Sequence, residues 1–212
     1  MNGGDIIHLE DVLRQHSAIG IVGNRHTGKS MMIMKLLEEL RERTGTDIYV
    51  FGVESNLFMP SIECGFNILE SEMDILDLQI TDAVIFIDEM AMFFDTKTSS
   101  RQLDKLERFF DRIEHNNCKI IISTAREGYF NKWMCGRVTA FLVKEVEYDA
   151  LVNRSWLKER VKAIKSKSDY RLELSESEYF VVTNRGDMIT KRYGFVYDEK
   201  WDSKKDKKRL FE

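Results

Sequence analysis

The stretch that decides the fold is Ala18-Ile19-Gly20-Ile21-Val22-Gly23-Asn24-Arg25-His26-Thr27-Gly28-Lys29-Ser30. Its first five residues form an apolar run typical of a buried strand, and residues 23–30 fit the pattern G-x-x-x-x-G-K-[ST]. Apolar residues follow at helical spacing, namely Ile33, Leu36, Leu37 and Leu40. A strand, a glycine loop and a helix in this order predict a phosphate-binding loop at the amino end of a helix.

The residues of this loop have separate predicted roles. Its glycines allow backbone N–H groups to turn toward the phosphates of a nucleoside triphosphate. Lys29 is expected to reach the β- and γ-phosphates, and the Ser30 hydroxyl is expected to ligate Mg²⁺. The predicted ATP-binding residues are therefore Gly23, Asn24, Arg25, His26, Thr27, Gly28, Lys29 and Ser30.

A second apolar run, Ala83–Ile87, ends in the acidic pair Asp88-Glu89. The carboxyl ends of parallel strands meet at one edge of a sheet, so this pair is expected beside the glycine loop. There Asp88 would hold Mg²⁺ through water, and Glu89 would polarise the attacking water as general base. The alternative is a strand that merely ends in solvated acids. The glycine loop upstream favours an ATP-hydrolysing site.

The order of the remaining segments predicts an α/β fold. Apolar strands alternate with helices, which favours a mainly parallel sheet of the P-loop NTPase type, sandwiched by helices. Residues 54–80 are expected to be irregular apart from a short apolar piece. The expected strands of this core are Ala18–Val22, Asp47–Val53, Ala83–Ile87, Lys119–Thr124 and Val138–Val143.

The pattern changes after residue 150. A basic segment precedes Tyr170–Leu174, and then Tyr179–Thr183 and Met188–Val196 flank a turn-like Asn184-Arg185-Gly186-Asp187, which predicts an antiparallel hairpin. We therefore expect an ATPase core over residues 1–150. Residues 151–212 would form a basic segment and a hairpin appendage packed on the same domain.

Polar residues at the end of the strand Lys119–Thr124 are candidates for sensing the γ-phosphate. Ser123 or Thr124 could do this if the strand lies between the other two site strands. The alternative is a strand end that caps the next turn, since Ser and Thr are favoured there for local reasons.

The helix expected from Arg101 to about Asn116 carries an apolar stripe of core residues beside a basic and an acidic stripe. From the basic stripe, Arg108 or Arg112 could project into a neighbouring subunit's site as an arginine finger. Arg126, beyond the sensor strand, is a rival for this role. The alternative for the charged stripes is a solvated face with i,i+4 pairs.

Composition and charge limit the partners. The formal net charge is −4, and the three cysteines share no metal-ligand spacing, so reduced thiols in the cytosol are expected. No apolar run approaches the length of a membrane span, which favours a soluble intracellular protein.

Seven cations lie within residues 154–171, and a basic tail covers residues 204–209. Such patches suit nucleic-acid phosphates, although a solvated surface helix and a floppy tail are equally consistent.

With these motifs in this order, the chain resembles viral genome-packaging ATPases of the FtsK–HerA superfamily, in which an additional strand lies between the two site strands. The resemblance covers about residues 15–150. It depends on the matches at Gly23–Ser30 and Ile85–Glu89 and on the segment Ser123-Thr124-Ala125-Arg126. The family usually has a sensor glutamine where this chain has Ala125, so terminase-like and small phage packaging ATPases stay open.

The resemblance implies an ATP- and Mg²⁺-dependent motor that translocates double-stranded DNA into a capsid. It further implies a homo-oligomeric ring, a hexamer in the family, together with a capsid vertex protein as partner. The expected location is the cytoplasm of the infected host cell or the virion. One alternative is a virion-assembly or secretion ATPase of the zonula-occludens-toxin type, although those usually carry a membrane span. A nucleotide kinase is disfavoured by the Asp88-Glu89 pair, as is a purely structural nucleotide-binding protein.

Overall fold

The structure is a computed structural model that describes residues 8–24, 26–71, 79–89, 100–124, 137–147, 157–159, 171–172, 178–183, 191–194 and 199–201. Its helices are α1 (Leu9–Gln15), α2 (Lys29–Thr44), α3 (Phe58–Glu63) and α4 (Ser100–His115), with short 3₁₀ turns at Ser55–Leu57 and Glu199–Trp201. The strands are β1 (Ala18–Val22), β2 (Asp47–Phe51), β3 (Asn67–Leu69), β4 (Ala83–Ile87), β5 (Lys119–Thr124), β6 (Ala140–Val143), β7 (Val146–Glu147), β8 (Arg171–Leu172), β9 (Glu178–Thr183) and β10 (Lys191–Gly194).

Eight strands form one sheet in the order β10-β9-β6-β1-β5-β4-β2-β3. The six from β6 to β3 are mutually parallel, while β9 pairs antiparallel with β6 and β10 antiparallel with β9. The expected P-loop NTPase fold is therefore confirmed, and so is the C-terminal hairpin. Strand β5 lies between β1 and β4, which is the additional-strand arrangement expected from the resemblance.

Helices cover both faces of the sheet because the central strands are apolar on both sides. Along β1, Ile19 and Ile21 belong to the core layer formed with α1 and α2, whereas Ala18 and Val22 belong to the opposite layer with α4. The methionines of α2 also fill the first layer, since Met31, Met32 and Met34 are buried. In the second layer Phe109, Phe110 and Ile113 confirm the apolar stripe of α4.

Some element boundaries differ from the sequence expectation. Strand β2 ends at Phe51 rather than Val53, because Gly52 adopts φ +75° and turns the chain. Helix α3 lies inside residues 54–80, which we expected to be irregular. It has only six residues and contains Pro60 in its first turn, where proline is tolerated. A helix this short shows no readable periodicity.

The remaining described strands lie outside the main sheet. Strand β8 pairs with β7 in a separate two-stranded sheet, outside the main one. None of the helices in the described ranges is both long and apolar enough to cross a bilayer.

Candidate nucleotide site

The glycine loop runs from the end of β1 to the start of α2 and is held from one side by the end of β6. The Lys144 N–H donates to Val22 O at 2.9 Å, and the Asn24 N–H donates to Glu145 O at 2.7 Å. A Cβ atom added at Gly23 would lie 2.8 Å from the Cβ of Lys144. Glycine is therefore required at residue 23 for β6 to approach this closely.

The loop closes onto the first turn of α2. The Thr27 hydroxyl donates to Asn24 O at 2.8 Å, and Gly28 takes the left-handed conformation at φ +80° directly before the helix. The backbone N–H groups of the first turn of α2 have no partners within the helix, and its dipole favours negative charge there. The loop and helix therefore present the features that bind phosphate groups.

Lys29 is buried at the base of this loop. Its Nζ donates to Gly23 O and Asn24 O, both at 3.0 Å, and lies 3.9 Å from Glu89 Oε1. The ammonium group is therefore fixed between the glycine loop and the acidic pair at the end of β4.

Asp88 lies directly beyond β4, where its N–H donates to Phe51 O at 2.8 Å. The carboxylate is buried: Oδ2 accepts a hydrogen bond of 2.8 Å from the Ser30 hydroxyl, and Oδ1 accepts one from the Ser123 hydroxyl. Burial raises the pKa of Asp88, while the hydrogen bonds from Ser123 and Ser30 and the charge of Lys29 oppose this rise. The carboxylate is thus held in a position where a further cation would favour its charged form.

Glu89 follows in an unusual backbone conformation. Its φ is +44°, in the left-handed region that residues other than glycine seldom occupy. Its N–H donates to Ser123 Oγ and to Asp88 Oδ1, each at 3.1 Å. One third of the Glu89 side chain is exposed, so its carboxylate stays in reach of water, beside Lys29.

The donor set fits a nucleotide-bound magnesium ion. Ser30 and Asp88 bring a hydroxyl and a carboxylate to within 2.8 Å of each other, at the amino end of α2. Oxygen donors of this kind are the ligands that Mg²⁺ prefers. Among the described residues no other cluster of His, Cys, Asp or Glu side chains could hold a metal ion.

The structure describes all but two of the predicted site residues. The structure brings Gly23, Lys29, Ser30, Asp88, Glu89 and Ser123 together at the carboxyl edge of the sheet. Thr124 ends β5 next to Ser123 and is buried, and its sensor role stays a prediction. Arg25 and Arg126 lie outside the described residues.

Of the two arginine-finger candidates of α4, Arg112 lies away from this edge in its own subunit. The Asn116 N–H donates to Arg112 O at 2.9 Å, and Asn116 O accepts the N–H of Asp82 at 3.0 Å, at the start of β4. Arg112 is therefore near the opposite end of β4 from Asp88. Arg108, one turn earlier, is exposed. A finger role for Arg112 would therefore need a second subunit, and for both residues the finger role stays a prediction.

Part of the acidic stripe on α4 is engaged by a cation from elsewhere in the chain. The guanidinium of Arg137 lies 2.5 Å from Asp111 Oδ1 and 3.2 Å from Glu114 Oε2. These ion pairs join α4 to a residue outside the helix and are not the i,i+4 pairs of the alternative, so both interpretations of the charged stripes stay predictions.

Sequence reasoning missed the contribution of β6. Lys144 is buried, and its Nζ donates to Glu178 O at 2.7 Å. This bond connects the residue that packs against Gly23 to the start of β9. The available signal was a charged pair, Lys144-Glu145, at the carboxyl end of an apolar strand, the same position that the Asp88-Glu89 pair occupies on β4.

Comparisons with known proteins give a likeness of fold. Neither a protein-family model nor a curated protein matches the chain by sequence. The genome packaging NTPase B204 from Sulfolobus turreted icosahedral virus 2 superposes with a TM-score of 0.65 at 11% identity, over 87% of this chain and 98% of that one. The same viral protein has been solved in complex with ATP-γS.

Two further ATPase structures share the fold. The pCW3 conjugation coupling protein TcpA, solved with ATP-γS, has a TM-score of 0.63 at 12% identity, over 94% of this chain and 66% of that one. EssC (ATPases 2 and 3) from Geobacillus thermodenitrificans has a TM-score of 0.53 at 13% identity, over 92% of this chain and 42% of that one. The resemblance of this chain to viral genome-packaging ATPases is thus confirmed in its fold.

Proposed function

We propose that this protein is an ATP-hydrolysing motor that translocates double-stranded DNA during viral genome packaging. The observation that carries the proposal is the meeting of Lys29, Ser30, Asp88 and Glu89 at one sheet edge, within hydrogen-bond or ion-pair distances. The packaging NTPase matches this chain over nearly its whole length, which supports the finer assignment.

Each residue then has a task in hydrolysis. The amino end of α2 and the glycine loop bind the phosphates, and Lys29 neutralises charge on the β- and γ-phosphates. Ser30 and Asp88 hold Mg²⁺, which when bound neutralises the negative charge of the β- and γ-phosphates. Glu89 orients the attacking water and accepts its proton, for which its partly exposed carboxylate beside the buried Lys29 is suited.

The partners of the motor belong to the same proposal. Duplex DNA would be gripped by cations such as those in residues 154–171. Of these cations, Lys158 and Arg171 lie among the described residues, and Lys158 is half-buried. The motor would assemble as a homo-oligomeric ring, a hexamer as in the family that the chain resembles, in which an arginine of α4 would complete the site of a neighbouring subunit. It would act at a capsid vertex protein in the infected cell's cytoplasm and remain with the virion.

Hydrolysis is tested with matched glutamate variants. Glu89→Gln keeps the side-chain shape and removes the base, so it should bind ATP and fail to turn it over. Glu63→Gln, on the exposed face of α3, makes the same chemical change away from the site and should retain parental turnover. Parental turnover by Glu89→Gln would contradict the mechanism.

Translocation is tested by the effect of DNA on turnover. Duplex DNA should raise the rate without sequence preference, and its affinity should fall with salt at a log–log slope of about −0.9 per phosphate contact. Replacing Lys158, Lys162 and Lys165 by Glu should lower DNA affinity and the salt slope while basal ATP turnover persists. Equal affinities and slopes would remove this segment from the DNA path.

A virion-assembly or secretion ATPase is the second candidate, because the fold shared with EssC and TcpA does not fix what the ATPase moves. That reading predicts ATP turnover that duplex DNA does not stimulate. A rate unchanged by saturating duplex DNA, with assembled protein, would therefore favour it over the packaging motor.

A further inference from the structure

Ser123 connects the two acidic residues of the candidate site. Its hydroxyl donates to Asp88 Oδ1 and accepts the N–H of Glu89 at 3.1 Å, and its side chain is fully buried. The register explains the contact, since Ile122 pairs with Ile87 and the next residues of β5 and β4 are Ser123 and Asp88. One small side chain therefore touches both residues that the mechanism uses.

The hydroxyl of Ser123 has one hydrogen, which is used in the hydrogen bond to Asp88 Oδ1. Phosphate oxygens at neutral pH accept hydrogen bonds and do not donate them. Ser123 therefore cannot donate to a γ-phosphate oxygen without giving up Asp88, which would leave a buried carboxylate oxygen with one donor fewer. The hydrogen bonds of Ser123 therefore suit a residue that holds Asp88 and Glu89 in place, rather than one that senses the nucleotide directly.

We propose that Ser123 is a positioning residue that fixes the Asp88–Glu89 peptide and so aims the Glu89 carboxylate at the attacking water. Glu89 adopts φ +44°, a conformation that costs a non-glycine residue roughly 1 kcal/mol or more and that the surrounding structure must maintain. The two hydrogen bonds on its N–H maintain it, and Ser123 accepts one of them. The inference depends on the proposed hydrolytic function.

Removal of the hydroxyl should therefore affect the chemical step more than nucleotide binding. Ser123→Ala leaves the Glu89 N–H with Asp88 Oδ1 alone, and that oxygen loses a donor at the same time. The hydrogen bonds of the Ser123 hydroxyl go to Asp88 and Glu89 rather than to the glycine loop, so ATP binding should persist. We expect kcat to fall by about 10- to 100-fold, as for other residues that orient a reacting group, with KM changed by less than about threefold.

Ser61→Ala is the matched control. Ser61 is also a fully buried serine, and its hydroxyl donates to Leu57 O at 2.6 Å inside α3 and the turn before it. Both variants remove one buried hydroxyl and should lower the melting temperature by a similar amount. Only Ser123→Ala should lower kcat, so a general loss of stability is separated from mispositioning of Glu89.

Two further variants make the test specific. Ser123→Cys keeps the volume with a weaker donor and should give an intermediate kcat, which also covers the case in which Ser123→Ala fails to fold. In the Glu89→Gln background, Ser123→Ala should lower the residual rate no further, because its effect acts through Glu89. The proposal would be overturned if the losses in kcat from Ser123→Ala and Glu89→Gln were additive. It would also be overturned if Ser123→Ala kept the parental kcat, or if this variant changed only KM.

A measurement without nucleotide separates this inference from the proposed function. Hydrogen exchange at the Glu89 amide should be faster in Ser123→Ala than in the parent, and unchanged in Ser61→Ala. Faster exchange in a protein without ATPase activity would contradict the proposed function and keep the positioning role for the Asp88–Glu89 turn. Unchanged exchange in Ser123→Ala would overturn the inference itself.

Discussion

Ser30 and Asp88 lie 58 residues apart in the chain, yet the Ser30 hydroxyl donates to Asp88 Oδ2 at 2.8 Å. This bond joins the first turn of α2 to the end of β4 across the intervening strand β5. It brings a hydroxyl and a carboxylate to the amino end of a helix, where the charges of a bound phosphate and of Mg²⁺ would balance each other. The pair is therefore the point at which nucleotide and metal binding would be coupled.

Ser30→Ala should raise the Mg²⁺ concentration needed for half-maximal ATP turnover, because one of the two predicted magnesium-binding groups is lost. The expected increase is at least about tenfold. A magnesium titration of the steady-state rate measures it, with the exposed Ser55 changed to Ala as control. Identical titrations for parent and Ser30→Ala would exclude Ser30 as a ligand.

Lys29→Ala should abolish tight ATP binding, since it removes the buried ammonium that contacts the glycine loop and approaches Glu89. Titration with a fluorescent ATP analogue measures the affinity. Lys35→Ala removes the same charge from the same helix, where the ammonium contacts Glu38 at 3.1 Å, and should leave the affinity near the parental value. Parental affinity in Lys29→Ala would refute the phosphate-binding assignment.

Gly23→Ala should weaken nucleotide binding and destabilise the fold. The new Cβ would approach the Cβ of Lys144 to 2.8 Å, and neither atom can move without its backbone. We expect a loss of about 1–3 kcal/mol of unfolding free energy together with the loss of affinity. In the control Gly45→Ala, the added Cβ has no atom within 4 Å, and only the strain of φ +70° is introduced. This variant should lose about 1 kcal/mol of unfolding free energy and keep the parental nucleotide affinity. Equal affinities in the two variants would contradict the packing of β6 against the loop.

Glu38 should make the stability depend on acid pH. Burial by itself raises the pKa of this α2 carboxyl, but hydrogen bonds from Lys200, Lys35, Trp201 and Cys64 outweigh burial and lower the pKa to about 2 from 4.5. A carboxyl with a lowered pKa in the folded state stabilises the protein fully above its unfolded pKa. The contribution is then lost as the pH falls from about 4.5 toward about 2.

Urea unfolding of the parent and Glu38→Gln measures this contribution. The variant should be less stable by about 2–3 kcal/mol near neutral pH, with allowance for the partly exposed Lys200, and the difference should shrink as the pH approaches about 3. Glu63→Gln should have the same free energy of unfolding as the parent at every pH of this range. A difference for Glu38→Gln that stays constant over this range would show that Glu38 does not titrate with folding.

Mixing two inactive variants should restore part of the turnover if an arginine of α4 acts in trans. Lys29→Ala chains provide an intact arginine, and Arg112→Ala chains provide an intact pocket. The test is the rate of mixed assemblies against each variant alone, repeated with Arg108→Ala. If neither arginine variant lowers turnover in assembled protein, Arg126 becomes the candidate and the stripe on α4 is a solvated face.

Local sequence signals were sufficient wherever a residue's neighbours in the chain decide its structure. The glycine loop and the apolar strands each follow from short-range chemistry, and β4 and β5 begin and end where the pattern predicted. Helix α3 escaped detection because six residues with Pro60 near their start have no periodic pattern to read. Two apolar runs around a turn predicted the hairpin, but they carry no information about its pairing with β6.

By itself, the sequence determined the fold class and the two motifs of the nucleotide site, because apolar periodicity and glycine spacing are properties of adjacent residues. Only the tertiary structure decided what the site residues touch: Ser123 on Asp88 and Glu89, Glu145 on Asn24, and Lys144 against Gly23. These contacts depend on strand order and register, which place β5 and β6 on either side of β1. Strand order is set by long-range packing of the whole sheet, and no short stretch of sequence contains it.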